Sequence, residues 1–211
     1  MSSRAARFAV GLVVLAVSAL AVTDARADDD PDLTRLATGQ SQKWNWAPPS
    51  VGDRYGHAEV LVHAPIGIVH KAVLDFGKYK DLVPDRFHNA RIIGKDEGGT
   101  DVYMQVPIMH GMVNLWQVMR FRDLKPTDQG WALVEGWYVK GNLKGANAAW
   151  TLHAIDENYT VLKFDLLLTL NLPAPQNLVD EELRDAAEQA VNGIRDRTQG
   201  VAGAVAYAKG G

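Results

Sequence analysis

The sequence predicts an α+β fold, a curved antiparallel sheet of about seven strands around one long C-terminal helix, with two short helices after the first strand. Three observations carry this reading. Between residues 88 and 171 apolar residues alternate in successive strand-like segments with only turn signals between them, so neighbouring strands must pair antiparallel through short links. The only long stretch with helical periodicity is Asn177 to Ala206. Between the first strand and the rest lie two short apolar pieces punctuated by Gly77 and Pro84, residues that end helices.

The N-terminus reads as a targeting segment. Arg4 and Arg7 precede an apolar run from Phe8 to Val22, and Ala25-Arg26-Ala27 closes it ahead of acidic residues. Cationic start, apolar middle and small-x-small end describe a Sec-type signal peptide over 1–27. The run is shorter than the roughly 20 residues a bilayer span needs. With no cysteine in the chain, a lipoprotein anchor is excluded, and non-adjacent arginines argue against a twin-arginine signal. Removing 27 of 211 residues leaves 211 − 27 = 184, enough for one domain with a substantial core. The removed segment carries three arginines and one aspartate, so the net charge goes from −3 to −3 − 2 = −5. That sign gives no footprint for nucleic acid. The expected location is the periplasm or the exterior, and an exported chain without disulfides needs no cysteine.

Residues 28–52 form an N-terminal arm. It is acidic at first, with Pro31 at a helix N1 position and Leu33 and Leu36 at helical spacing. It turns extended around Trp44-Asn45-Trp46-Ala47-Pro48-Pro49. The tryptophans pin the arm to the edge of the domain or, alternatively, face a partner or a membrane. The domain proper is expected over 53–208. Its first strand has Ala58, Val60 and Val62 on one face. Ala64-Pro65 ends that strand and opens a helix with Ile66, Val69, Ala72 and Val73 inward. Gly77 breaks the helix, and a second short one turns Tyr79 and Leu82 inward before Val83-Pro84 stops it. Strands follow near 88–95, 100–109, 112–123, 130–140, 146–155 and 160–171. They are longer than the usual five or six residues, which suits a sheet curving over something. In the last helix Val179, Leu183, Ala187, Ala190, Ile194, Val201 and Val205 make one apolar stripe. Asp180, Glu181 and Glu182 are expected in its first turn, where the helix dipole favours acids.

The run Asp75-Phe76-Gly77-Lys78-Tyr79-Lys80-Asp81-Leu82-Val83-Pro84, one short helix after an amphipathic strand, resembles the START-like (SRPBCC) superfamily, which also holds polyketide cyclases and coenzyme-Q-binding proteins. In that superfamily the second short helix carries an aspartate, a tyrosine and a closing proline. Trp150 and Leu152, after a glycine and before an acidic turn, resemble its penultimate strand. The leucine pair and Gly39 of the arm are similar to leaders of exported bacterial members. The resemblance spans Tyr55 to the end of the last helix. It implies a helix-grip fold holding an apolar ligand.

Alternation assigns the inward faces. Lys163 and Asp165 must face water, which turns Leu162, Phe164, Leu166, Leu168 and Leu170 inward. Arg120 and Arg122 likewise turn Leu115, Gln117, Met119 and Phe121 inward, and Val102, Met104, Val106 and Ile108 form the matching row. The 130–140 strand stays open, with aromatic residues in both phases. The expected ligand-lining set takes Val102, Met104, Val106, Leu115, Gln117, Met119, Phe121, Phe164, Leu166 and Leu168 from these rows, Trp150 and Leu152 from the penultimate strand, Leu183, Ala187, Ala190 and Ile194 from the shallow helix face, and Phe76, Tyr79 and Leu82 from a lid that Pro84 ends. Loops at Met109–Met112 and Gly141–Gly145 would open beside the lid. Gln117, alone among apolar neighbours, is the clearest polar contact for a guest.

The residues do not spell a catalytic centre. The six histidines form no HExxH or carboxylate-histidine motif at ligand spacing, and there is no Gly-x-Ser-x-Gly elbow. No metal or other cofactor is expected. The function that follows is non-catalytic binding and transport of a lipid, sterol or hopanoid, acyl lipid or quinone, with transient membrane or transporter contact. The alternative is a cyclase or hydrolase in the same cavity, for which His153, Tyr103, Tyr138 and Glu135 are the candidate acids and bases.

Overall fold

The computed structural model describes residues 31–49, 54–82, 87–108, 113–124, 130–171 and 173–210, with side chains of the last helix described to residue 200. The expected signal peptide, Pro84, the Met109–Met112 loop and the side chains of Val201 and Val205 lie outside the described residues.

The elements follow the expected order. Helix α1 (Leu33–Leu36) leads to β1 (Gln42–Trp46) and β2 (Tyr55–Val62). Then come α2 (Ile66–Leu74), a 3-10 turn (Phe76–Lys78) and α3 (Tyr79–Leu82). Strands β3 (Asn89–Asp96), β4 (Gly99–Ile108), β5 (Val113–Leu124), β6 (Trp131–Gly141), β7 (Gly145–Ala154) and β8 (Thr160–Thr169) precede α4 (Gln176–Gly210). The sheet is antiparallel, in the order β1-β2-β8-β7-β6-β5-β4-β3.

It has eight strands where about seven were expected, because part of the arm pairs with β2. Gln42 to Trp46 run antiparallel to Glu59 to Tyr55. Outward-facing aromatics hold this edge. Trp44 lies on the His57 ring at 4.1 Å and Trp46 stacks on Tyr55 at 5.0 Å. The Trp46 indole N–H donates to Asp165 Oδ1 at 2.7 Å.

Three local expectations are corrected. Pro31 lies before the N-cap of α1, which is Asp32, whose carboxylate accepts from the Arg35 N–H at 3.2 Å. Only Leu36 of the leucine pair is buried, Leu33 being exposed. Helix α4 starts at Gln176, so Asp180, Glu181 and Glu182 sit beyond its first turn. There Asp180 accepts from Gln176 and pairs with Arg54 at 3.0 Å, an ion-pair role rather than a dipole role.

The concave face packs on α4 and α2. From β2 come Ala58, Val60 and Val62, and from β8 Leu162 and Phe164, all in the buried cluster with Val69, Val73, Ala187, Val191 and Ile194. The pairing settles the face of β6. Ala132, Val134 and Gly136 lie opposite the inward Leu152, Trp150 and Ala148, so Trp131, Leu133, Glu135 and Trp137 point outward.

Candidate functional site

One close approach fixes where α4 lies on the concave face. At Gly56 of β2 a Cβ would sit 2.3 Å from the Leu183 carbonyl carbon and 2.6 Å from the Arg184 nitrogen. The α4 backbone therefore rests directly on β2. Strands farther along the sheet curve away from it, and the α4 side chains pointing across the gap include Ala186 and Ala190. Alanines cannot reach the opposite wall, and a cavity of about 140 Å³ remains.

Its wall is built strand by strand. Met104 and Val106 come from β4, and Leu115, Gln117, Met119 and Phe121 from β5. Trp150 comes from β7, and Phe164, Leu166 and Leu168 from β8. Tyr79 and Leu82 of α3 cap it, and Leu183 and Ala190 of α4 close the back. Burial is graded along the cavity. Met119, Trp150 and Met104 are buried, whereas Val106, Leu166 and Leu168 are half-buried and Glu182 is exposed, so the mouth lies at the Leu168 and Glu182 end.

Five expected lining residues are elsewhere. Phe76, Val102, Leu152, Ala187 and Ile194 face the concave side but belong to the solid core. There α2 and the 3-10 turn fill the space, Phe76 stacking on Phe121 with centroids 4.7 Å apart. Four lining residues were not anticipated, namely Phe87, Ala148, Glu182 and Ala186. Ala148 shares the phase of Trp150, and Ala186 and Glu182 precede Ala190 at helical spacing, so alternation and the stripe contain both signals. Phe87 follows the segment after α3 and has no periodicity to reveal it.

The polar atoms here are few. The Tyr79 hydroxyl donates to the Val73 carbonyl at 2.7 Å, tying α3 to the last turn of α2. Burial pushes its phenol well above the usual tyrosine range, with the Trp150 indole pulling it down and the Asp75 charge pushing it up. Trp150 Nε1 is buried with no partner at hydrogen-bonding geometry, although it lies near enough the Tyr79 oxygen to favour the phenolate. Gln117 Oε1 is buried without a partner.

The Gly141–Gly145 loop, expected to open, is pinned. The Trp116 N–H donates to Asn142 Oδ1 at 2.8 Å, and Asn142 Nδ2 donates to the Asn114 carbonyl at 2.9 Å. The Tyr138 hydroxyl donates to the Leu143 carbonyl at 3.0 Å.

The candidate acids and bases are not brought together. Glu135, His153 and Tyr103 lie on the outer face of the sheet, His153 stacked on Trp131 at 3.9 Å and Tyr103 under Arg91. Tyr138 points inward but is committed to Leu143. Among the described residues there are two histidine–carboxylate pairs, His57–Asp165 at 2.7 Å and His70–Asp123 at 2.8 Å, neither on the cavity wall. Among the described residues no three His, Asp or Glu side chains gather to hold a metal. Nor is any described helix long and apolar enough to cross a membrane.

No family model matches the chain, and no curated protein matches it in sequence. Solved structures do match in fold. A STAR-related lipid transfer protein fragment from Xanthomonas axonopodis is 15% identical, with 81% of this chain and 96% of that one covered and a TM-score of 0.65. A START superfamily protein from Mycobacterium smegmatis is 16% identical over 70% of this chain and 98% of its own, at a TM-score of 0.59. A human lipid transfer and protein localization domain is 13% identical over 79% and 93%, at 0.58. The fold of this chain is the START-like helix-grip fold.

Proposed function

We propose that this chain binds an apolar small molecule in the cavity between α4 and the sheet and carries it through water without chemical change. The observation that carries the proposal is the wall itself, aromatic, aliphatic and methionine side chains around a space that the alanine face of α4 leaves open. Transferring a methylene from water into such a wall is worth about 0.8 kcal/mol, and two methionines let it adapt to the guest's shape. That the similar folds include proteins described as lipid transfer proteins supports the same reading.

A volume of about 140 Å³ is below the roughly 300–1,000 Å³ of pockets that enclose drug-sized ligands, so a lipid-sized guest must widen the cavity. The contacts of α4 decide how. On one flank the arm fixes it: Lys43 pairs with Asp185 at 2.9 Å and with Glu188, Ser41 donates to Glu188 at 2.8 Å, and Arg184 donates to Asn45 at 2.7 Å. On the other, α3 rests on it where the Leu82 carbonyl meets Gly193; a Cβ there would be 2.6 Å from that oxygen. The Asp75–Arg197 ion pair holds the root of this segment. We therefore take α3 as the moving lid, hinged near Asp75, with α4 stationary.

The signal-like segment supports export, and we place the carrier outside the cytoplasm, where water separates apolar molecules from a second membrane. The test is native mass spectrometry of the chain from Asp28, expressed with export and purified without detergent, together with analysis of its organic extract. One apolar molecule per chain is the expected result. An empty protein that also takes up no sterol, quinone or acyl lipid offered to it would refute the carrier reading.

A further inference from the structure

We infer that the guest is a neutral apolar molecule bearing a hydroxyl group, and that the side-chain amide of Gln117 receives that hydroxyl; this rests on the carrier reading above. Gln117 sits on β5 between the inward Leu115 and Met119 and is only 8% exposed, yet its Oε1 is buried with no hydrogen-bond partner. The ladder shows why the fold does not satisfy it. Its cross-strand neighbours are Met104 on β4 and Gly141 on β6, so neither side offers a polar side chain. A leucine here would fill the same space without an orphaned amide, so the empty protein carries a cost that a suitable guest removes.

The rest of the wall narrows the chemistry. The Tyr79 hydroxyl is already donating to Val73, which leaves the Gln117 amide and the Trp150 indole as the buried polar groups to be matched. A hydroxyl both donates and accepts, and the Gln117 amide, free to turn about its last torsion, offers both an acceptor and donors. A charged group is a poor match, because burying an ion requires an opposite charge beside it, and the ionisable groups on the described wall are Tyr79 and the exposed Glu182 at the mouth. The class is therefore an apolar alcohol rather than an ionised fatty acid.

The test is displacement of the neutral fluorophore N-phenyl-1-naphthylamine from the full mature chain by dodecanol, dodecane and dodecanoic acid delivered from cyclodextrin, for wild type, Gln117→Leu and Gln117→Met. Wild type should prefer dodecanol to dodecane by about tenfold, the value of one buried hydrogen bond, and to dodecanoate at neutral pH. Both variants should remove the preference, bringing the alcohol-to-alkane ratio to one or below because the guest's hydroxyl is then buried without a partner, while still binding dodecane. Equal binding of alcohol and alkane by wild type, or a preference that survives in the variants, would overturn the inference and leave the carrier reading standing. Failure of the fluorophore and all three probes to bind wild type would bring down both.

Discussion

Replacing Ala186 and Ala190 together by leucine is expected to abolish uptake of apolar guests, lowering affinity at least about a hundredfold, while the protein stays folded with an unchanged or raised Tm. Both alanines face the cavity from α4, and each change adds about three carbon atoms to a space of about 140 Å³. The new methyl groups meet Leu, Met and Phe side chains across the gap, so they bury apolar area where there is room, which tends to stabilise. The opposite outcome for stability would come from overfilling a packed site, which costs about 1–3 kcal/mol. Thermal unfolding and displacement of N-phenyl-1-naphthylamine, measured on one preparation, separate the two. Affinity within threefold of wild type in a folded variant would mean that the guest binds elsewhere.

Gly56→Ala is expected to be strongly destabilising, because the added methyl group would force α4 away from β2. The added carbon would lie 2.3 Å from the Leu183 carbonyl carbon and 2.4 Å from its oxygen, and these are backbone atoms that cannot step aside by changing rotamer. Helix α4 must lift from β2, at a cost of about 3 kcal/mol, the upper end for overpacking, or roughly 6–12 °C in Tm for a domain of this size. Gly67→Ala is the control. Gly67 is in α2 with nothing within 4 Å of its would-be Cβ, so alanine there should stabilise by up to about 1 kcal/mol. Equal effects from the two substitutions would show that the contact between α4 and β2 is not what fixes the helix.

Much of this architecture is legible in the residues, and the part that is not has identifiable causes. Lys163 and Asp165 mark the outer face of β8, and Arg120 and Arg122 that of β5, but Asp165 does not face water as expected: it is 5% exposed, covered by Trp46 and His57, which both hydrogen-bond its carboxylate. The same logic fails on β6, where Trp131, Leu133 and Trp137 face outward. They are held there by neighbours, Trp131 on His153 and Trp137 under Arg122, so aromatic weight says nothing about depth. Inward direction is also not the same as lining the cavity. Val102 and Leu152 point to the concave side, yet they belong to the solid core beside α2 and Phe76, and alternation carries no information about position along the curvature. The seat of α4 depends on Gly56, whose role appears only when β2 and α4 are seen in contact. The arm's strand was hidden for a related reason: Gln42 to Trp46 alternate too briefly to announce an edge strand, and the pairing partner is what defines it.

Whether an apolar guest sits against β4 and β5 inside the molecule is decided by isotope-filtered NMR on protein labelled at its methionine methyl groups, with one bound unlabelled guest. Met104 and Met119 face the cavity from adjacent paired strands. Intermolecular NOEs from the guest to both methyl groups are expected, with no perturbation of the indole signals of the outward-facing Trp131 and Trp137. A saturated complex with no NOE to either methionine, and shifts confined to those outward tryptophans, would contradict this and place the guest on the outer face of the sheet.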